Sequence, residues 1–249
     1  MLTAILWGGL AAASLLIGYL LAARGLSNRI IGVVMGFGAG ALISAIAYEL
    51  VPQSIFNGPG MALAFGLGAL AFFAGDWVVD NWGGRTRKNI ARGKNAGGKN
   101  AGGQTGGSGA AIFIGTLLDN VPESIILGMS VATGGMINVA FLAAVFISNL
   151  PEGLAGTINL EASGRSHRNI FWMWILLVIV SAASAGLGYG LIFWLPGLDG
   201  RYSQAFAAGA MLTMLADAMM PEAFEHGGNL VGLFTVMGFL MSAILSILQ

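Results

Sequence analysis

The sequence has no cysteine, only two histidines and few charged residues, which occupy 9% of its 249 positions. A soluble domain carries about 25% charged residues, so this level argues against an ordinary soluble protein. Without cysteine there is neither a disulfide framework nor a thiolate metal site. The formal net charge is zero, which gives no sign of a nucleic-acid partner. Instead, 56% of the residues are hydrophobic and the mean hydropathy is +0.81, values typical of a membrane protein.

Motifs of several enzyme classes are also missing. A zinc protease needs His-Glu-x-x-His on a helix, but both histidines, His167 and His226, lie in predicted loops. No GxxxxGK[ST] sequence is present, which argues against ATP-driven pumping. An aspartyl protease would need two facing membrane aspartates, for which Asp119 and Asp217 are remote candidates. We therefore expect a protein that is not an enzyme, with an intramembrane hydrolase as an open alternative.

Eight apolar runs are long enough to cross a bilayer, which takes roughly 20 residues. These spans are predicted at 2–23, 30–51, 61–79, 110–131, 137–158, 170–194, 202–220 and 230–248. The first basic residue, Arg24, follows the first run, whereas a signal peptide has basic residues before its apolar region. The run 2–23 is therefore predicted as the first membrane helix.

The basic residues predict the orientation of the chain. Under this count, ten of the eleven lysines and arginines fall in loops on one side of the membrane, and Arg201 alone falls on the other. The positive-inside rule then puts both termini outside the cell membrane, which the chain would cross several times. The polar, glycine-rich segment 83–109 cannot bury enough surface to fold. It is predicted as a disordered cytoplasmic linker between helices 1–3 (residues 1–82) and helices 4–8 (residues 110–249).

Two stretches of the sequence occur twice. FGAGALISAIAYELVP (37–52) aligns without gaps on FAAGAMLTMLADAMMP (206–221), with six of sixteen positions identical. DNVPES (119–124) matches SNLPEG (148–153). The two members of each pair would run in opposite directions through the bilayer, so both pairs are predicted as inverted copies. Inverted repeats around a site near the membrane centre are a known transporter architecture.

The DNVPES and SNLPEG motifs place acids, amides and a proline inside apolar runs. Asp119 and Glu123 are four residues apart and share a helix face, as do Ser148 and Glu152. A charged side chain at mid-bilayer costs roughly 2.5–3.5 kcal/mol on translocon scales, and no Lys, Arg or His lies in a predicted span to pair with these acids. Protonation or a bound cation would offset the cost. The oxygen-rich set suits Mg, Ca and Mn, and carboxylates also bind Zn and Fe.

The paired motifs resemble those of the ZIP (Zrt/Irt-like protein) metal transporters, H-N-x-P-E-G and (Q/H)-(N/D/E)-x-P-(E/H). FAAGAMLTMLADAMMPEA (206–223) resembles that family's seventh helix, FAAGAMLYVVVDELIPEA, and the span count, the outside termini and a variable loop after helix 3 also match. The resemblance implies an all-α membrane protein of eight transmembrane helices in a 3+2+3 arrangement, with a binuclear metal site between helices 4 and 5. It also implies gradient-driven movement of Zn or related divalent cations toward the cytoplasm. The metal ligands it implies are Asp119, Asn120, Glu123, Ser148, Asn149 and Glu152, with Glu123 and Glu152 as bridges.

The chain departs from the family pattern in three places. Asp119 replaces the usual His, Ser148 replaces Gln or His, and SAASAGLGYG (181–190) lacks a Glu that relatives often carry in helix 6. We therefore expect one metal rather than two, and a shift of preference toward Mn or Fe because imidazole is absent. The expected substrate is Zn²⁺ or another divalent metal such as Mn, Fe or Cd, and no cofactor is expected. A non-transporting membrane metal-binding or sensor protein of the same fold is the alternative.

Other acidic residues and one histidine are candidate pathway residues: Asp217, Glu49, Glu222, Glu225 and His226. Glu49 and Asp217 each lie about one turn from a predicted interface, where snorkelling alone would explain Glu49. The last three are expected in a solvated turn after helix 7, with capture of metal on the cytoplasmic side as the alternative. The expected partners are divalent metal ions and the lipid bilayer, a homodimer is left open, and no nucleic acid is expected.

Overall fold

The computed structural model describes residues 1–51, 58–81, 109–134, 138–194 and 200–248, which are mostly helical and contain no strand. The helices, in chain order, are α1 (Leu2–Ala22), α2 (Asn28–Ala45), α3 (Pro59–Asn81), α4 (Gly109–Gly134), α5 (Val139–Ala162), α6 (His167–Trp194), α7 (Gly200–Met214), α8 (Met220–Gly227) and α9 (Leu230–Ile247). Two π-helical turns, Ile46–Leu50 and Leu215–Met219, directly follow α2 and α7.

Seven segments of the described chain are long and apolar enough to cross a membrane. They coincide with the predicted spans 1–6 and with the last one, and the all-α membrane-protein prediction is confirmed. The predicted span 202–220 is occupied by shorter pieces, namely α7, a π-helical turn and α8, of 15, 5 and 8 residues. The predicted linker 83–109 lies outside the described residues, except for Gly109, which begins α4.

Glycines bring four pairs of helices into reciprocal backbone contact. Between α1 and α5, a Cβ at Gly18 would overlap the carbonyl oxygen of Leu150, and a Cβ at Gly153 would overlap that of Leu15. The same reciprocal contact between a glycine and a backbone carbonyl joins α4 with α6, α2 with α9, and α3 with α7. The glycine pairs are Gly128 and Gly188, Gly40 and Gly238, and Gly68 and Gly209, respectively. Small residues allow this approach in lipid, where helices associate through close packing.

The glycine contacts divide the helices into two groups. Gly8 of α1 also lies against Ala185 of α6, so α1, α4, α5 and α6 form the first group. Gly32 of α2 lies against Gly227 at the end of α8. Because α7 continues through its π-helical turn into α8 and contacts α3 at Gly68 and Gly209, we assign α2, α3, α7, α8 and α9 to the second group. The DNVPES and SNLPEG motifs are both carried by helices of the first group.

The two groups meet where α2 crosses α5. A Cβ at Gly38 would lie 2.9 Å from the Cα of Ser148. In the π-helical turn that continues α2, Glu49 accepts a hydrogen bond from the side-chain amide of Asn138, the residue that caps the start of α5. Later positions on α2 thus meet earlier positions on α5, so the two helices run antiparallel.

The longer repeated sequence adopts the same local structure twice. The alignment of 37–52 on 206–221 places Ile46–Leu50 on Leu215–Met219, and both segments are π-helical. It also places Gly40 on Gly209, and both glycines make the close helix contacts described above. A π-helical turn is uncommon and frequently marks a functional site, so its recurrence at matching positions supports a real repeat.

Trp174 departs from the sequence-based expectation. Trp172 and Trp174 both lie near the start of α6, a position that predicts a tryptophan anchored at the membrane interface. Trp172 fits this prediction and is 58% exposed, but Trp174 is fully buried. Its indole N–H donates to Thr157 Oγ1 at 2.9 Å, and its ring lies over Gly156. Trp174 therefore fixes α6 against α5.

Asn138 makes two contacts whose loss can be measured. Its Oδ1 caps α5 by accepting from the Phe141 N–H at 2.7 Å, while its Nδ2 donates to Glu49. We expect Asn138→Ala to lower the free energy of unfolding by about 1–2 kcal/mol, because a cap and a bond to a carboxylate are both lost. Ser27→Ala removes only the cap of α2, a hydrogen bond of 3.3 Å from the Ile30 N–H to Ser27 Oγ. It should lower the free energy of unfolding by less than Asn138→Ala does. Equal losses of thermal stability in detergent would argue against a structural role for the Glu49 contact.

Candidate metal centre

The helices α4 and α5 carry all of the predicted metal ligands into the protein interior. The exposed fraction of these six residues lies between 0 and 4%. They are Asp119, Asn120 and Glu123 on α4, and Ser148, Asn149 and Glu152 on α5. Side chains of this kind are mostly exposed in proteins, and their burial here places them in the protein interior rather than on a lipid-facing surface.

Pro122 and Pro151 lie inside α4 and α5, and both helices continue through them. A proline inside a helix lacks the amide hydrogen that would bond to the carbonyl four residues earlier. The carbonyl groups affected are those of Leu118 and Ile147. Each motif therefore adds a backbone oxygen one residue before its first polar side chain.

The two asparagines of the motifs both use Nδ2 toward a backbone carbonyl, Asn120 within α4 and Asn149 toward α1. Asn120 Nδ2 donates to the carbonyl of Thr116 at 3.0 Å, and Asn149 Nδ2 makes a long contact of 3.5 Å with the carbonyl of Ala11. Their Oδ1 atoms are buried and accept no hydrogen bond from any described residue. An unsatisfied buried acceptor costs about 1–3 kcal/mol, so both amide oxygens are well suited to receive a cation.

The remaining side chains of the motifs supply anionic and hydroxyl oxygens. Asp119, Glu123 and Glu152 are 1%, 1% and 4% exposed, and every arginine in the described part of the chain is exposed. No described guanidinium is therefore buried beside these carboxylates. The hydroxyl of Ser148 donates to the carbonyl of Val145 at 2.9 Å, which leaves its lone pairs as acceptors.

The carboxylates do not converge on one point in this conformation. Within the described ranges, no group of three or more Asp, Glu or His side chains is close enough to hold one ion. The simplest arrangement expected from the sequence, three carboxylates around one cation, is therefore not present. A site on α4 and α5 would combine fewer carboxylates with amide, hydroxyl and backbone oxygens, which the two motifs provide.

Glu49 and Asp217 lie in the two π-helical turns, and neither is buried as the motif residues are. Glu49 is half-buried and bonded to Asn138, which precedes Asn149 by eleven residues, or roughly 16 Å along a helix. Asp217 is exposed. Neither residue is placed among the six predicted ligands, and a pathway role for either one stays a prediction.

The expectation of a solvated turn is wrong for Glu222 and His226. Glu222 is 7% exposed, only 3% of the His226 side chain is exposed, and His226 Nε2 lies 3.8 Å from Glu222 Oε1. The physical reason is that both residues lie one turn apart on α8, each directly before a residue that packs against Gly32 of α2, namely Ala223 and Gly227. Glu225 is exposed, as expected.

Comparison with known proteins does not assign the chain to a family: no family model matches it, and no curated protein matches it. The resemblance of the paired motifs to those of metal transporters therefore stays a prediction from the sequence. What supports a function is the chemistry of α4 and α5 described above.

Proposed function

We propose that this chain is a secondary transporter that moves divalent metal cations, Zn²⁺ or a related ion such as Mn, Fe or Cd, toward the cytoplasm. One observation carries the proposal: two matching motifs bury six oxygen-bearing side chains on neighbouring helices of an apolar protein. Carboxylate and amide oxygens bind divalent cations, and a set without sulfur or imidazole favours harder ions such as Mn over softer ones such as Cd. The cation is the substrate, and no resident cofactor is needed.

The ligands have distinct roles in this proposal. Carboxylates of Glu123 and Glu152 approach the cation from α4 and α5, and Asp119 adds charge from the same face as Glu123. The amide oxygens of Asn120 and Asn149 complete the shell. Leaving anionic groups unneutralised in a bilayer costs several kcal/mol, so a bound cation stabilises this interior. Mixed ligands with few carboxylates also keep affinity low enough for release.

The proposal assumes eight spans, with α7, its π-helical turn and α8 forming the seventh, in the 3+2+3 arrangement and with both termini outside. The distribution of Lys and Arg favours this topology. The matching π-helical turns favour inverted repeats, because the same local structure recurs in two helices that this topology orients oppositely. Inverted repeats supply two related conformations that face opposite sides of a membrane.

The two helix groups supply the moving parts. The first group carries the metal ligands and is held together by backbone contacts at glycine, so it moves as one body against the second. At one end, Glu49 of the second group bonds to Asn138 of the first. The two repeat alignments place Asn138 on Gly109 and Glu49 on Ala218, and neither Gly109 nor Ala218 has a side chain that could form such a bond. In this proposal, the bond between Glu49 and Asn138 holds one end of the pathway closed, and the other end has no equivalent of it.

Metal flux into liposomes tests the proposal. The purified chain is reconstituted into vesicles loaded with a fluorescent chelator, and Zn, Mn, Fe, Cd and Co are compared with protein-free vesicles. We expect flux, with Mn or Fe moving faster than Zn because the ligand set has no imidazole. Binding of metal without flux would favour the sensor alternative, and absence of both binding and flux would reject a metal site.

A further inference from the structure

A groove of about 300 Å³ lies along the first three turns of α6, on the surface of the helix. It is lined by Arg165, Asn169, Trp172, Met173 and Leu176. The lining changes along the helix from a basic and an amide side chain at the loop to aromatic and aliphatic side chains further in. This order matches the change from headgroup to acyl chain across one leaflet of a bilayer.

The apolar end of the groove continues into the lipid-facing surface of the protein. Trp172, Leu176 and Ile179 are 58%, 49% and 59% exposed. Exposed apolar side chains on a membrane-spanning helix contact acyl chains, and a tryptophan near the helix end lies at the headgroup level. An occupant of the groove therefore has an apolar part that reaches into the bilayer.

The polar end of the groove carries an available positive charge. Arg165 is exposed and forms no ion pair with any carboxylate of the described chain. The carboxylate nearest in sequence, Glu161, instead contacts His167 Nδ1 at 3.2 Å. Arg168 is exposed in the following turn and adds charge of the same sign. A guanidinium binds phosphate oxygens with particular geometric fit.

We infer that this groove binds one anionic phospholipid, with the phosphate at Arg165 and Asn169 and an acyl chain along Trp172, Met173 and Leu176. Charge complementarity selects an anionic headgroup, and basic pockets at the end of membrane helices are known to hold such lipids. The continuous apolar lining selects a lipid over a soluble phosphate compound. The inference goes beyond the proposed transport function and holds whether or not the protein moves metal.

Native mass spectrometry of the full chain in detergent measures the number of bound lipids. We expect phosphatidylglycerol to bind more tightly than phosphatidylcholine of the same chain length. Arg165→Gln should weaken phosphatidylglycerol binding about fivefold, the factor that corresponds to the ~1 kcal/mol attraction of one basic residue to an anionic surface. Arg24→Gln, which removes an exposed arginine from the loop between α1 and α2, is the matched control and should leave binding unchanged.

Other outcomes would overturn the inference. Equal loss of binding in the two arginine variants would indicate only a general attraction of charge, and no loss in either would exclude the groove. Asn169→Ala is a second variant, and we expect it to weaken phosphatidylglycerol binding without changing phosphatidylcholine binding. Displacement of the lipid by millimolar inorganic phosphate would show that the apolar lining contributes nothing.

Discussion

Replacement of Glu123 or Glu152 by glutamine is expected to lower metal uptake by a factor on the order of 100 or more. Glutamine keeps the size of the side chain but removes the charge that neutralises the cation. Loss of a residue that only supports a metal ligand already costs about 10–100-fold in affinity or activity, so loss of a charged ligand should cost at least as much. Initial rates of uptake into chelator-loaded proteoliposomes give the ratio.

A matched control lies on the same helix as Glu152. Glu161 is close to the end of α5, its side chain is 37% exposed, and it contacts His167. Glu161→Gln should transport at the wild-type rate. In metal-free buffer, where no bound cation stabilises the wild type, the two site variants should melt no lower than the wild type, because removing a buried charge relieves its desolvation. Wild-type uptake by folded Glu123→Gln and Glu152→Gln proteins would exclude these carboxylates as ligands.

Gly68→Ala is expected to destabilise the protein by about 3 kcal/mol, at the upper end for overpacking of a well-packed interior. A Cβ at Gly68 would overlap the carbonyl oxygen of Phe206 on α7, and a backbone atom cannot rotate away as a side chain can. The two helices would have to separate. Thermal unfolding in detergent, followed by tryptophan fluorescence, measures the loss.

The control for this substitution is two residues away on the same helix. A Cβ at Gly66 would meet no atom within 4 Å, so Gly66→Ala should be neutral or stabilising by about 0.5–1 kcal/mol, the usual preference of a helix for alanine. Gly209→Ala, which meets the carbonyl oxygen of Phe65, should behave like Gly68→Ala. If Gly66→Ala and Gly68→Ala melt at the same temperature, backbone contact does not hold α3 and α7 together.

The spans could be predicted from sequence because a bilayer imposes a length on every apolar helix. The uninterrupted apolar runs predicted the ends of α1, α6 and α9 to within about three residues. The π-helical turns could not be predicted, since the residue types in 46–50 and 215–219 are equally compatible with an ordinary α-helix. The glycine contacts could not be predicted either, because each contact depends on which helix packs against the glycine.

The sequence predicted the burial of the repeated motifs but not the features of the site that depend on how helices pack together. A single acid in an apolar run has several explanations, but two copies of the same motif indicated burial, and all six residues are buried. The burial of Glu222 and His226 depends on the docking of α8 on α2. The bond from Asn138 to Glu49 depends on the crossing of α2 and α5. Neither crossing has a local signal in the sequence.

Locating a bound ion tests most directly whether buried oxygens on α4 and α5 hold a divalent cation. Crystals grown with Mn²⁺ or Zn²⁺ give an anomalous-difference map that shows the position of the metal without assumptions about its ligands. A peak between α4 and α5, within coordinating distance of carboxylate oxygens of Glu123 and Glu152, is the expected result. A metal bound only elsewhere, for example at Glu222 and His226, with no peak between α4 and α5 at saturating concentration, would contradict it.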